Sequence, residues 1–261
     1  MNILLIGDIV GKPGRKVIKR LLPHIKSQYN VEFVVANGEN GAGGFGLTID
    51  TAKELFNSGI DVLTSGNHIW DKKDIFVELE EGNRILRPLN YPEGVPGKGY
   101  TILETETGKR VCVINIQGRI FMPPIDCPFM GIQKLLDSIS QDVKTIIVDF
   151  HAEATSEKMA MGIFLDGKVS VVAGTHTHVQ TADERILPNG TGYITDLGMT
   201  GPHDSVIGME FEKSMKRILY QIPFKLNVAK KNLRLNGIFL NVDDETGKCK
   251  EIKRLDIPYE V

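Results

Sequence analysis

Side chains that can bind a metal ion or transfer a proton follow an apolar stretch early in this sequence. Residues 60–63 are mostly apolar, and Asn67 and His68 come shortly after them. An amide oxygen can bind a metal ion or a phosphate, and a histidine ring exchanges a proton near neutral pH. Catalytic residues are common on loops at strand ends, where a rigid sheet holds them. Taken alone, an Asn-His pair is more often ordinary loop chemistry, so its meaning depends on the other strands.

The same kind of side chain recurs at the ends of other predicted strands. In an α/β sheet the carboxyl ends of the strands gather at one edge, so these groups are expected to converge in one cleft. Three imidazoles, two carboxylates and two amides suit iron, manganese, zinc or nickel, and they are too many for one ion. We therefore predict two metal ions that share a carboxylate; the candidate ligands are Asp8, Glu39, Asn40, Asn67, His151, His176 and His178.

Each candidate also has a purely structural explanation. Asp8 could cap the following helix, Glu39 could be a solvated loop charge, and His151 could be a buried histidine with satisfied hydrogen bonds. His176 and His178 are harder to explain in this way, because a continuing strand would place both rings on one face. Together, the structural explanations require a coincidence at several strand ends, so the sequence favours a metal site.

A glycine-rich segment offers a competing interpretation. Gly41, Gly43 and Gly46 have the spacing of a dinucleotide-binding loop between a strand and a helix. However, residues 37–40 separate them from the apolar strand, and the next strand ends in Asn67 where an acidic ribose ligand would be expected. We therefore interpret these glycines as small residues that let the backbone pass close to the metal cleft.

The order of the predicted elements indicates an α/β protein. Apolar runs at residues 3–6, 33–36 and 60–63 alternate with helical patterns, in which Thr48 is predicted to cap one helix and Asp71 to begin the next. The alternation then breaks, and turn residues at 107–109 and 245–247 indicate hairpins. Because no repeat or linker-like tract interrupts the chain, we predict one domain, residues 1–261, with two sheets packed inside helical layers.

The composition is that of an ordinary globular protein, and it narrows the range of functions. Residues are 41% hydrophobic and 25% charged, and the formal net charge is −2. This balance argues against a surface that holds long nucleic acid, although a small phosphate ligand remains compatible with it. The three cysteines are far apart, which disfavours a disulfide framework or a zinc knuckle. We see no signal peptide and no apolar run that could span a membrane, so we expect a cytoplasmic protein.

Six segments combine these candidate residues with their neighbours: GDIVG at 7–11, NGENGAGG at 37–44, GNHIWD at 66–71, DFHAE at 149–153, GTHTH at 174–178 and TDLGMTG at 195–201. In this order, the motifs resemble those of the calcineurin-like metallophosphoesterases. The closer resemblance, over essentially the whole chain, is to the bacterial YmdB-like branch of that superfamily.

The resemblance implies a calcineurin-like sandwich, in which two mixed sheets are flanked by helices, and a site for two iron or manganese ions. One ion would be held by Asp8, Glu39, Asn40 and His178, and the other by Glu39, Asn67, His151 and His176. The chain departs from the wider superfamily at two positions, because Val10 stands where a histidine ligand is usual and Glu39 stands where the bridging aspartate is usual. The resemblance to this branch implies that Asn40 would supply the missing ligand.

The resemblance also implies an activity, the hydrolysis of small phosphodiesters and most of all 2′,3′-cyclic nucleotides. A hydroxide that bridges the ions would attack in line, and His68 would protonate the leaving group. Glu153, Thr175 and Thr177 are candidates for fixing the orientation of the histidine rings. Two other functions stay open, a phosphomonoesterase or nuclease on the same site and a nucleotide-sensing regulatory protein with incidental hydrolysis. The resemblance also leaves a homo-oligomer open. The sequence itself has no heptad pattern or long apolar stripe that would indicate where subunits meet.

Overall fold

The computed structural model describes residues 1–260, which form two β-sheets flanked by helices. The helices are α1 (Gly11–Tyr29), α2 (Ile49–Asn57), α3 (Ile75–Glu81), α4 (Pro128–Leu136), α5 (Thr155–Phe164) and α6 (Phe211–Tyr220). The strands are β1 (Asn2–Ile6), β2 (Asp8–Ile9), β3 (Phe33–Asn37), β4 (Val62–Thr64), β5 (Tyr100–Glu104), β6 (Arg110–Gln117), β7 (Thr145–His151), β8 (Val171–Thr175), β9 (Arg185–Ile186), β10 (Gly192–Ile194), β11 (Met199–Pro202), β12 (Leu233–Val242) and β13 (Cys249–Pro258). Within residues 1–260, no helix has both the length and the hydrophobicity to cross a lipid bilayer.

Both sheets contain parallel and antiparallel pairs. The first sheet has the order β2-β11-β12-β1-β3-β4, with β13 paired to β12, and its strands β1, β3 and β4 are parallel. The second has the order β5-β6-β7-β8-β10-β9, and β6, β7, β8 and β10 are parallel. Antiparallel strands complete each sheet. The prediction of two mixed sheets flanked by helices is therefore confirmed.

Strand alternation divides the apolar side chains into separate layers. In β1, Leu4 and Ile6 belong to the core that also contains the buried face of α1. Ile3 and Leu5 point the other way, into a core shared with the second sheet. A third core lies between the second sheet and helices α4 and α5. Burying each such Leu or Ile side chain contributes about 1.5–3 kcal/mol, so the layers hold the strand ends rigidly in place.

The face between the sheets becomes polar at the carboxyl ends of the parallel strands. Asn37 and Thr64 continue the alternation of apolar residues that face the other sheet. Asp149 does the same in β7, and it accepts hydrogen bonds from Asn37 Nδ2 and Thr64 Oγ1 across the gap between the sheets. The carboxyl ends of both sheets therefore meet at one edge, where the polar side chains are gathered.

The helix predictions at Thr48 and Asp71 have different outcomes. Thr48 caps α2, because its hydroxyl accepts the Thr51 amide and Thr51 in turn reaches the Thr48 backbone. The prediction that Asp71 begins a helix is wrong. Asp71 ends a short 3-10 turn, Ile69–Asp71, and α3 begins only at Ile75. Its carboxylate contacts the His68 ring, so it is not available to cap a helix.

Candidate metal centre and adjoining cleft

The structure brings the seven predicted metal-ligand side chains and His68 together at the carboxyl edge of the sheets. Asp8, Glu39, Asn40 and His151 are buried, whereas Asn67, His68 and His176 are partly exposed. The group therefore has a closed base and an open side. The elements that supply it are β2 and the residues at or just after the ends of β3, β4, β7 and β8.

His151 lies at the centre of one cluster of potential ligand atoms. Its Nε2 is 3.1 Å from Glu39 Oε1, 3.3 Å from Asn67 Oδ1 and 3.1 Å from His176 Nδ1. One ring nitrogen carries at most one proton, so hydrogen bonding cannot satisfy all three contacts. Two ligands at about 2.1 Å from a common ion lie about 3.0–3.4 Å apart at octahedral or tetrahedral angles. The four groups thus have the spacing of ligands around one cation.

Asp8, Asn40 and His178 form a second cluster on the other side of Glu39. His178 Nε2 is 3.0 Å from Asn40 Nδ2 and 3.7 Å from Asp8 Oδ1. Among residues 1–260, Asp8 Oδ1 is buried without a hydrogen-bond donor, an arrangement that costs about 1–3 kcal/mol or more unless a cation satisfies the oxygen. Asn40 turns its Nδ2 toward Glu39 Oε1, at 3.4 Å, so an oxygen ligand from Asn40 requires the amide to rotate by half a turn.

A buried chain of hydrogen bonds fixes the tautomer of His151. Its Nδ1 lies 3.0 Å from Thr175 Oγ1, and that hydroxyl donates to Asp149 Oδ1 at 2.6 Å. Because the Thr175 hydrogen points at Asp149, the remaining contact requires His151 Nδ1–H to donate to Thr175. When the ring is neutral, the lone pair on His151 Nε2 therefore faces the cluster, as metal binding by an imidazole requires.

His176 and His178 are oriented by analogous contacts. Glu153 Oε2 lies 3.1 Å from His176 Nε2, and the carbonyl oxygen of Ile207 lies 2.9 Å from His178 Nδ1. Each contact takes one ring N–H and leaves the other nitrogen of the ring toward the clusters. Thr175 and Glu153 therefore contact the rings as predicted, whereas the Thr177 hydroxyl instead contacts the Val179 backbone.

The two histidines do not continue strand β8, so the condition under which alternation would place both rings on one face is not met. β8 ends at Thr175, and φ is 101° at His176 and 64° at His178. Non-glycine residues rarely adopt such angles, which are retained where the surrounding structure enforces them. Both rings converge on the clusters because the loop turns, not because a strand alternates.

A buried ion pair fixes the backbone of the loop that carries His176 and His178. Lys158 of α5 contacts the Asp196 carboxylate, and both side chains are 1% exposed. Lys158 Nζ also donates to the carbonyl oxygen of Thr175 at 2.8 Å, and Asp196 Oδ2 accepts the backbone N–H of Thr177 at 3.2 Å. The pair thus ties the backbone on both sides of His176 to helix α5 and to the segment after β10.

The charges of the clustered groups act strongly on one another. Burial would raise the pKa of Glu39, but the adjacent His151 ring outweighs burial and lowers it. Burial would likewise lower the pKa of His151, and the Glu39 carboxylate raises it instead. Burial, together with the charge of His151, lowers the pKa of His176 to about 3, so this ring is neutral at neutral pH. Glu39 and His151 therefore each favour the charged form of the other, and a metal ion bound at His151 Nε2 would take the place of the proton on that nitrogen.

His68 lies beside the clusters and opens onto the adjoining cleft. Its backbone N–H donates to Glu39 Oε2 at 3.2 Å, and its ring Nδ1 is 3.0 Å from Asp71 Oδ2. Phe45 packs edgewise against the ring, with centroids 5.1 Å apart. With Nδ1 engaged by Asp71, Nε2 is the nitrogen left for a molecule in the cleft.

The cleft next to His68 has a volume of about 480 Å³ and a largely apolar wall. The wall is formed by Phe45, Val206, Ile207, Met209, Ile218 and Leu226, and the floor includes Glu39, Asn40, His176 and His178. Gly44 has φ +99°, and a Cβ at this position would collide with Met209 and Val228. Gly44 thus packs closely against Met209 of this wall. Of the three glycines with dinucleotide-loop spacing, Gly46 lies against the His68 backbone, whereas a Cβ at Gly43 would meet no atom within 4 Å, so the interpretation of these glycines stays a prediction.

Asn37, Thr64 and Asp149 were not predicted as site residues. All three lie on the sheet face that points toward the other sheet, two residues after an apolar core residue of the same strand. Counting by two from Val35, Val62 and Ile147 would have found them. Asp71 also contacts a functional candidate, but only its position in the GNHIWD segment could have indicated this.

Sequence comparisons relate this chain to known proteins. A family model described as YmdB-like protein matches residues 4–255. A 2′,3′-cyclic-nucleotide 2′-phosphodiesterase from Bacillus subtilis (strain 168) is 49% identical over 255 residues, which cover 98% of this chain and 96% of that protein.

Solved structures show the same fold over the whole chain. A hypothetical protein from Thermus thermophilus has a TM-score of 0.94 and 41% identity, and the match covers 100% of both chains. A novel phosphatase from Mycoplasma pneumoniae has a TM-score of 0.93 and 35% identity, and the match covers 99% of this chain and 93% of that chain.

Proposed function

This chain belongs to the YmdB-like protein family, and from that membership we propose that it is a metal-dependent phosphodiesterase that hydrolyses small phosphodiesters, above all 2′,3′-cyclic nucleotides. The observation that carries the proposal is the convergence of Glu39 with two clusters of ligand-type side chains beside a cleft. The activity of the Bacillus subtilis relative, as its name states it, supports the choice of substrate.

The donor set fits two metal ions that share Glu39. We assign one ion to Asp8, Glu39, Asn40 and His178, and the other to Glu39, Asn67, His151 and His176. Nitrogen and oxygen donors in this mixture suit iron or manganese. Bound there, the ions would supply positive charge against the phosphate oxygens and lower the pKa of bound water. The orphaned oxygen of Asp8 and the three oriented imidazoles support this assignment.

His68 acts as the general acid in this proposal. Cleavage of a phosphodiester releases an alkoxide, which leaves more readily when it receives a proton as the P–O bond breaks. His68 Nε2 opens onto the cleft and can donate that proton, while Asp71 holds Nδ1. A positioned general acid contributes typically about 10²–10⁴-fold to the rate.

Asp71 is expected to contribute to the rate through the orientation of His68. In Asp71→Asn the ring loses its charged partner, so kcat for 2′,3′-cyclic AMP should fall about tenfold, with the bound metal unchanged. The matched control is Asp74→Asn, because Asp74 is a nearby acid whose carboxylate accepts the Ile49 backbone N–H instead. Steady-state kinetics and elemental analysis of both variants make the comparison. Equal rates in the two variants contradict this role for Asp71.

The proposed reaction is tested by comparing substrates on manganese-loaded protein. We expect kcat/KM for 2′,3′-cyclic AMP to exceed the value for the monoester adenosine 3′-monophosphate, and for internal linkages of single-stranded RNA, by at least about tenfold. A faster monoester reaction would identify a phosphomonoesterase, and faster cleavage of RNA a nuclease. Tight binding of 2′,3′-cyclic AMP without measurable turnover would instead identify a nucleotide sensor. Each of these results overturns the proposal.

A further inference from the structure

The cleft beside the metal centre contains one permanently charged cation, Arg217. Helix α6 contributes Ser214, Arg217 and Ile218 to its lining, and these positions share one face of the helix by their spacing. Within residues 1–260, no other arginine or lysine belongs to the lining. A guanidinium in this place gives the cleft a single fixed site for an anionic group, separate from the metal-ligand clusters.

Arg217 has no carboxylate partner among the described residues, 1–260. Other arginines are engaged by acids, as Arg15 is by Glu54 and Arg234 by Asp256. A guanidinium that is free of an acid keeps its planar set of donors available for a bidentate contact with a phosphate. Arg217 is also exposed, so binding a phosphate there does not require a buried ion pair to break first.

The apolar wall between the metal centre and α6 supplies a surface for a flat, weakly polar group. Ile207 is 52% exposed and Ile218 is 55% exposed, although both line the cleft. Phe45 presents a ring next to His68. A nucleobase packed against these side chains would cover apolar surface, and a cleft of about 480 Å³ is within the usual range for small-molecule sites.

We propose that this cleft is a nucleoside subsite in which the apolar wall packs on the base and Arg217 binds a phosphoryl group on the 5′ side of the same nucleoside. The inference rests on the proposed function, since that function places the scissile 2′,3′-cyclic phosphate at the metal centre. The second phosphate of such a substrate is then the one on the 5′ oxygen. One guanidinium can bind one phosphate, and the formal net charge of −2 does not favour the binding of long nucleic acid.

Three substrates separate the possible sources of this phosphoryl group. They are 2′,3′-cyclic AMP, the same nucleotide with a 5′-monophosphate, and a dinucleotide that ends in a 2′,3′-cyclic phosphate. We expect kcat/KM of the wild type to be at least about tenfold higher for a 5′-phosphorylated substrate than for 2′,3′-cyclic AMP, because charge-assisted hydrogen bonds are strong. A preference for the monophosphate alone identifies a terminal 5′-phosphate, and a preference for both identifies any 5′-phosphoryl group, including an RNA end.

Variants of α6 assign the preference to Arg217. Arg217→Ala should abolish the preference and leave 2′,3′-cyclic AMP hydrolysis within about twofold, and Arg217→Lys should retain only part of the preference, because an ammonium lacks the planar fork. The matched control is Lys216→Ala, since Lys216 is an exposed neighbour that does not line the cleft and should behave like the wild type. An unchanged preference in Arg217→Ala overturns the inference, and so does an equal loss of activity on all three substrates.

Binding measurements keep this test independent of turnover. Calorimetry should show that adenosine 3′,5′-bisphosphate binds the wild type at least about tenfold more tightly than adenosine 3′-monophosphate, and that Arg217→Ala removes the difference. If the wild type hydrolyses none of the substrates, the proposed function fails, and this binding difference still decides the role of Arg217. Equal affinities of the wild type for the two ligands overturn the nucleoside subsite, whatever the kinetics show.

Discussion

We expect His68→Ala to lower kcat for 2′,3′-cyclic AMP by about 10²–10⁴-fold and to leave the content of bound metal unchanged. The ring opens onto the cleft and contacts Glu39 only through its backbone N–H, so its loss should leave the proposed ligands in place. Steady-state kinetics measures kcat, and elemental analysis measures the bound metal. The matched control is His24→Ala, because His24 is an exposed histidine of α1 outside the cleft.

A substrate with a better leaving group separates proton donation from a general loss of structure. Bis(p-nitrophenyl) phosphate releases a phenolate that leaves without a proton from the enzyme, so His68→Ala should impair its hydrolysis much less than that of 2′,3′-cyclic AMP. Equal losses on both substrates would contradict the general-acid role. Full activity of His68→Ala on 2′,3′-cyclic AMP would remove His68 from the mechanism altogether.

Glu39→Gln should have the second large effect, a loss of bound metal together with activity. Glu39 is 1% exposed, and its carboxylate contacts His151 of one cluster and Asn40 of the other. An amide removes the negative charge that both ions would share, so we expect metal content to fall below one ion per chain and kcat to fall at least about 10³-fold. The matched control is Glu54→Gln, which alters a surface contact with Arg15.

Thermal stability shows whether Glu39→Gln fails to bind metal or fails to fold. A ligand at 100 times its dissociation constant stabilises a protein by about 2.7 kcal/mol. For a chain of this size, that raises the midpoint temperature of thermal unfolding by about 5–10 °C. We expect manganese to raise the unfolding midpoint temperature of the wild type and of Glu54→Gln. Glu39→Gln should unfold cooperatively, which shows that it folds, and its midpoint should not change when manganese is added. A manganese-dependent increase of normal size in Glu39→Gln would contradict the shared role of Glu39.

The sequence predicted which side chains would converge better than it predicted the local backbone geometry around them. Asp8, Glu39, Asn67 and His151 were identifiable because each comes at or just after the end of an apolar strand, and parallel strands end at a common edge. The calcineurin-like sandwich is confirmed by the two mixed sheets and by the match to a phosphatase structure. Strand ends and motifs can be identified from short stretches of sequence, so a single sequence was enough to predict them.

The parts that the sequence did not predict depend on contacts between distant segments. Lys158 and Asp196 are 38 residues apart, and only the folded chain shows that together they fix the backbone around His176. Likewise, Arg217 lies on an amphipathic helix whose sequence does not indicate which face meets the cleft. The single-domain organisation, the cytoplasmic location and the oligomeric state stay predictions.

The central claim is that catalysis requires two metal ions, and a metal titration tests it most directly. Manganese is added in steps to metal-stripped protein, and the bound metal and the rate of 2′,3′-cyclic AMP hydrolysis are measured on the same samples. We expect negligible hydrolysis without metal and a rate that reaches its maximum only when two ions are bound per chain. Full activity with one ion per chain, or hydrolysis by the stripped protein, would contradict it.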